Sequence, residues 1–211
     1  MITEKEMKMK NRLFHVLGVL TLGVLLAVHF GCASSPASRF YLLNPLPGSA
    51  SEGKPSASEG CVSIGIGPIE IPDYLDHPQI ATRITPNEIK LAEFERWAEP
   101  LKDNFKRVLA QNLSSLTCVK EITFFPWRRG IPMDYRVEMK IIRFDGNPGD
   151  KLVLEAWWRL LSGDGKIMLQ SKRSSFSEPV TGGDYKSLVL AHSQALGVLS
   201  REIAETIKTL K

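Results

Sequence analysis

Residues 134 to 144 read DYRVEMKIIRF. Tyr135, Val137, Met139 and Ile141 alternate with Arg136, Glu138 and Lys140, a period of two that puts apolar side chains on one face of a strand and charges on the other. Residues 151 to 160, KLVLEAWWRL, repeat the pattern, with Leu152, Leu154, Ala156, Trp158 and Leu160 sharing a face. The turn signals DGNPGD (145–150) and SGDG (162–165) join these strands to each other and to a third, KIMLQSKRSSF (166–176). Such a meander is an antiparallel sheet with one packed face and one wet face. What covers the packed face then decides the fold.

Two amphipathic segments are available to cover it. From Asp184 to Leu210, Leu188, Ala195, Leu199, Ile203, Ile207 and Leu210 form a helical stripe, and Asp184 is placed to cap its start. From Ala98 to Leu116, Leu101, Phe105, Val108, Leu109 and Leu113 have helical spacing, with Pro100 tolerated in the first turn. Upstream, CVSIGIGPIEIP (61–72) reads as a buried strand ended by Pro68 and Pro72. Its Gly65-Ile66-Gly67 lacks the third glycine and the following helix of a dinucleotide loop, so close backbone packing is the expected use. QIATRI and EIKLAEF flank Thr85-Pro86-Asn87-Glu88 as a hairpin, and VKEITFF (119–125) is a further strand. Two helices on one face of a mixed sheet with an antiparallel meander give an α+β, two-layer fold.

The N-terminus is a different kind of sequence. The apolar run Leu13–Phe30 is interrupted by His15, Thr21 and His29 and is preceded by Lys5, Lys8, Lys10 and Arg12. A span needs about 20 apolar residues, so the run suits a secretory leader better than a membrane helix. It ends at Gly31-Cys32, which resembles the lipobox of bacterial lipoproteins, although His29 and Phe30 depart from it. The expected organisation is a leader over 1–31, a tether over 32–60 and one α+β domain over 61–211. On this reading Cys32 is expected to carry diacylglycerol and an N-acyl chain, and no other cofactor is expected. Within the tether, Arg39-Phe40-Tyr41-Leu42-Leu43 is a short β-like patch and SASEGKPSASEG (49–60) is spacer by composition. Two or three acyl chains anchor firmly where one does not. The alternatives are a plain leader with a chance cysteine, or an uncleaved anchor.

Net charge is +4, from 27 Lys and Arg against 23 Asp and Glu. The leader takes four of the bases and two of the acids, leaving 23 against 21, and no basic stripe with interleaved aromatics remains. This is not a nucleic-acid binder. After Cys32 only Cys61 and Cys118 follow, each at the start of a strand. In an oxidising compartment an even remainder invites a disulfide, which forms if the two strands are parallel neighbours joined by a helix; two buried thiols are the alternative.

No nucleophile elbow, Walker loop or metal-ligand pair is present, and His77 and His192 stand apart, so neither catalysis nor metal binding is expected. The candidate partner contacts are Arg96, Trp97 and Glu99, at the junction of hairpin and helix; Trp127, Arg128 and Arg129, in a proline-bounded loop; and Trp157, on the polar sheet face. Arginine–tryptophan pairs are good interface anchors. Each also has a local use: Glu99 favours a helix start, and Arg96 can pair with Glu99 or Asp76.

IGPIEIPDYLDHPQIATR (66–83) and ERWAEPL (95–101) resemble the PqiC (YmbA) family of ABC-type transport auxiliary lipoproteins, as do SRFYLL (38–43), Pro126-Trp127, DYRV (134–137) and AHSQAL (191–196). The resemblance implies a lipoprotein on the periplasmic face of the outer membrane, accessory to an MCE-type system that carries lipids between membranes. It implies a periplasmic MCE-type protein and inner-membrane transporter components as partners, and a homo-oligomer is a further arrangement to consider. Ala33 after the cysteine is compatible with outer-membrane sorting. The other classes kept open are an outer-membrane assembly or plug-like lipoprotein and a direct periplasmic lipid carrier.

Overall fold

The computed structural model describes residues 4–29, 36–48, 60–128 and 130–210. Cys32, Arg129 and spacer residues 49–59 lie outside the described residues. The chain divides into two compact units, Met1–Ala37 and Ser38–Lys211. The first holds α1 (Glu4–His29). Among the described residues no helix is long and apolar enough to cross a membrane.

The second unit is the α+β domain. In chain order it contains β1 (Arg39–Tyr41), β2 (Val62–Glu70), a 3-10 turn at Asp73–Leu75, β3 (Gln79–Thr85), β4 (Glu88–Trp97) and α2 (Leu101–Leu116). There follow β5 (Val119–Phe124), β6 (Tyr135–Gly146), β7 (Lys151–Ser162), β8 (Met168–Pro179) and α3 (Tyr185–Thr209). The meander is β6–β7–β8, antiparallel throughout.

β6 is the hub of the sheet. Along one edge it pairs with β7; along the other it pairs in parallel with β2 up to Lys140, then with β3 at the single register Thr82↔Gly146. The sheet therefore forks. One arm is β2 with β5, the other is β3, β4 and β1. β1 runs parallel to β4 at the end of that arm.

Alternation explains which face is packed. Val137, Met139, Ile141, Leu152, Leu154, Ala156, Trp158 and Leu160 are buried. An irregularity between Ile141 and Arg143 shifts the parity by one, so that Phe144 joins the same buried face. α2 and α3 cover it, with Leu101, Phe105, Val108, Leu109, Leu113, Leu188, Ala195, Leu199, Ile203 and Ile207 all buried. Asp184 caps α3, accepting from the Ser187 N–H at 2.8 Å.

Four expectations change. Leu210 closes the predicted stripe but is 44% exposed, because α3 ends at Thr209 and the chain leaves the packed face. Pro100 stands just before α2 as its N-cap, not in the first turn. Pro68 does not end β2: Gly67, at φ +113°, and Pro68 are accommodated in a register shift, and pairing resumes at Ile69. Finally, the stretch after Ala37 is more than tether. Leu43 is buried at 1% exposure, and the Leu43, Asn44 and Leu46 N–H groups donate to Asn104 Oδ1 (2.6 Å), Ser193 Oγ (3.0 Å) and Asn112 Oδ1 (2.8 Å). A backbone without a strand partner is thus satisfied by side chains of α2 and α3. The segment is a strap over the helix pair, and Leu46 sits where a Cβ on Gly197 would fall.

Cys61 and Cys118 are joined by a disulfide, beside the parallel pair β2–β5. The Val62 N–H donates to the Cys118 carbonyl at 3.0 Å across the same junction.

Candidate functional site

The two sequence stretches Asp76-His77-Pro78 and Trp97-Ala98-Glu99-Pro100 are brought together at the entrance to α2. The Trp97 N–H donates to the Pro78 carbonyl at 2.7 Å, and the Ala98 N–H to the Tyr41 carbonyl at 2.9 Å. A shallow hollow of about 360 Å³ opens between them. The candidate contacts here prove to be mostly internal. Trp97 is 5% exposed and sets its ring edge-on to His192, centroids 5.4 Å apart. Glu99 forms an ion pair with Arg107 one helical stretch on, not with Arg96. Arg96 is half-buried, points away from the core side taken by Trp97, and its Nε has no hydrogen-bond partner among the described residues. None of the three offers a free aromatic–cation anchor.

Other residues in the same stretches hold the fork together. Asp145 is fully buried and accepts from Tyr74 (2.6 Å), from Arg83 Nε and Nη2 (2.7 and 2.9 Å) and from Arg143 Nε (2.9 Å). Burial alone would raise the carboxyl, but the bonds from Arg83, Tyr74 and Arg143 hold it below its usual range. Arg83 and Tyr74 thus fix β3 and the 3-10 turn onto β6, where the backbone supplies one register pair, while Arg143 of β6 itself adds a second cation. Sequence reading placed Asp145 in a turn and missed this role; a lone Asp after an apolar run carries no signal for it. Glu95 works in the same way at the other end of β4. Arg39 and Tyr41 both donate to it, with Tyr41 at 2.6 Å, and hydrogen bonds from Arg39, opposed by burial, and from Tyr41 lower the carboxyl.

His192 is buried at 1% exposure between Trp97 and Phe144, and its Nδ1 donates to the Leu188 carbonyl at 2.8 Å. Burial brings its pKa down to about 4, although backbone partners at Leu188 and Phe144 favour the charged form. Among the described residues no group of three or more His, Cys, Asp or Glu is placed to hold a metal ion.

The exposed aromatics and cations gather instead on the sheet face opposite the helices. Trp157 is 48% exposed, with the Arg173 guanidinium 5.9 Å from its ring centre. Beside it a hollow of about 240 Å³ is bordered by Pro68, Glu70, Glu138, Lys140, Arg159 and Ser171, with Arg159 paired to Glu138 at 2.6 Å. Four residues back along β6, roughly 13 Å at strand rise, Arg136 lies over the Trp127 ring at 5.5 Å. Trp127 is not an exposed loop residue as expected. The loop folds back over β2, and a Cβ on Gly65 would meet the Trp127 ring at 2.9 Å and the Met133 sulfur at 2.7 Å. That close approach is what Gly65 permits. Phe125 (45% exposed) stands edge-on to Trp127, and Arg128 is exposed beside it. The period-two pattern placed Arg136, Lys140, Trp157 and Arg159 on this wet face. It gave no sign that Trp127 would lie across it.

The family model described as ABC-type transport auxiliary lipoprotein component matches residues 41–204. The intermembrane transport lipoprotein PqiC of Escherichia coli is 24% identical over 181 residues, covering 86% of this chain and 91% of that one; the Shigella flexneri protein of the same name gives the same figures. Two crystal structures share the fold, each at 17% identity. One is of an uncharacterized protein (TM-score 0.65, 82% of this chain and 99% of that one). The other is from Xanthomonas campestris (TM-score 0.61, 81% and 98%). The match runs from Tyr41 through both contributing stretches to Ala204 in α3, the whole of the α+β domain except its first strand residues and its last turns. The chain belongs to the family of ABC-type transport auxiliary lipoprotein components.

Proposed function

We propose that this chain is a lipoprotein anchored through acylated Cys32 to the periplasmic face of the outer membrane, and that it positions components of an MCE-type lipid transport system by docking and not by catalysis. Family membership and the intermembrane transport role in the name of its Escherichia coli relative support the transport setting. The observation that carries the docking role is the sheet face opposite the helices. There Trp157 stands half-exposed among arginines while the packed face is fully covered. Desolvated aromatic and arginine side chains dominate binding energy at protein interfaces. The partners are a periplasmic MCE-type protein and, through it, inner-membrane transporter components.

Affinity capture of the full chain from membranes in mild detergent tests this. The expected outcome is recovery of an MCE-type protein, reduced for Trp157→Ala. Recovery of a β-barrel instead would replace the reading with an outer-membrane assembly role. The anchor is tested separately: Cys32→Ser abolishes palmitate labelling and releases the chain from the membrane fraction, and unchanged labelling would overturn the Cys32 assignment.

A further inference from the structure

A second surface of the domain is apolar without serving the core. Arg39 and Tyr41 both turn toward Glu95, so strand parity sends Phe40 the other way, where it is 64% exposed, and Leu42, just past the end of β1, is 42% exposed. On α3, Leu188, Val189, Ala191 and His192 are buried, which leaves Leu190 pointing out at 54% exposure. Core packing therefore explains none of the three. They border a hollow of about 580 Å³ that shares Asn44 and Leu190 with a second of about 510 Å³, lined further by Leu46, Pro47 and Val198. The two make one apolar strip along the strap and the outer side of α3. Its charges do not choose a partner, since Lys186 and Arg201 are offset by Asp184 and Glu178.

Chain length does choose. Phe40 follows Cys32 by eight residues, a reach of at most about 29 Å even when fully extended. An acyl anchor at Cys32 thus confines this strip to the immediate neighbourhood of a lipid surface, where exposed Phe and Leu side chains gain by entering the acyl boundary. We propose that the strip Phe40–Leu42–Leu190, continuing to Leu46, Pro47 and Val198, is a membrane-contact surface that lays the strap side of the domain on the leaflet holding the anchor. The inference rests on the acylation of Cys32. It adds that the domain is seated on the bilayer and does not swing free on a tether.

The experiment uses the full acylated chain in vesicles of phosphatidylethanolamine and phosphatidylglycerol containing doxyl-labelled lipid. Leu190→Cys carries a fluorophore, and Ser171→Cys, exposed on the opposite sheet face, carries the same one; labelling without reductant leaves the Cys61–Cys118 disulfide intact. The position-190 probe is expected to be quenched several-fold more strongly than the position-171 probe. With the probe at Gln194→Cys on the same side of α3, adding Phe40→Asp is expected to lower quenching to the position-171 level while circular dichroism and the acyl mass stay unchanged. Equal quenching at 190 and 171 with Cys32 acylated overturns membrane contact and leaves the anchor standing, as does shielding of position 190 by a bound protein. Absence of the acyl mass overturns the anchor and this inference with it.

Discussion

His192 shows how one side chain can be placed by sequence and yet have its behaviour set by its surroundings. Its position near the helix stripe is visible in AHSQAL, but its complete enclosure by Trp97, Phe144 and α3 is not. With a folded pKa near 4 against an unfolded 6.5, the unfolded chain binds the extra proton first as pH falls. Stability is therefore full above the unfolded value and declines between pH 6.5 and 4, by up to about 3 kcal/mol. Carboxylates such as Asp145 and Glu95 are held low and add their own acid sensitivity only below the unfolded carboxyl range. Urea unfolding at pH 7 and pH 4.7 reads the histidine contribution, and His192→Gln is expected to flatten the difference. A slope that persists unchanged in that variant would assign the loss to other groups.

At the scale of elements, two joints rest on side chains in place of backbone pairing. β3 meets β6 at one register pair, and Asp145 with Arg83 and Tyr74 supplies the rest. Asp145→Asn leaves Arg83 and Arg143 facing a neutral amide in a buried site, and is expected to cost about 3 kcal/mol in denaturant unfolding. A loss below that of an ordinary surface substitution would show that the fork is held elsewhere. The strap is the second joint. Asn112 accepts from Leu46 through Oδ1 and donates to Ser200 through Nδ2 at 3.0 Å, so one amide ties the strap to both helices. Asn112→Ala leaves a strap N–H and a buried hydroxyl short of a partner, at about 2 kcal/mol. Faster hydrogen exchange confined to residues 43–46 is the expected signature, and unchanged protection there would contradict it.

Across the whole α+β domain, the sheet has one face covered by helices and one face left exposed. Trp157 is 48% exposed on the face opposite the helices, with Arg173 over its ring, so Trp157→Ala is expected to change stability by less than about 1 kcal/mol while weakening capture of the envelope partner. Trp127 behaves differently, because its ring fills the space over Gly65 beside Arg136 and Met133. Trp127→Ala is expected to lower the melting temperature, with a stability loss of about 2 kcal/mol. Thermal melting of the two variants side by side distinguishes them. Equal melting losses would mean that Trp157 is also structural, and the docking face would then have to be sought elsewhere.

The sequence alone determined the α+β class, the meander, the two helices that cover it and most of the residues on their packed faces, because periods of two and 3.6 are local properties of the chain. It also placed Glu155 and Arg159 on one face with Trp157 through the same alternation, though not Arg173, which lies over the Trp157 ring. The tertiary structure decided what depends on elements distant in sequence. Trp97 looked like an interface anchor but is enclosed by α3, whose own sequence lies some ninety residues on. Asp145 looked like a turn residue but becomes the counter-ion of Arg83 once β3 is laid against the end of β6. The stretch 43–46, beyond β1, looked like tether by composition, and its backbone is held by side-chain amides and a hydroxyl from α2 and α3. In each case the missing information was the direction of a side chain toward a partner contributed by another element, and no local period encodes that.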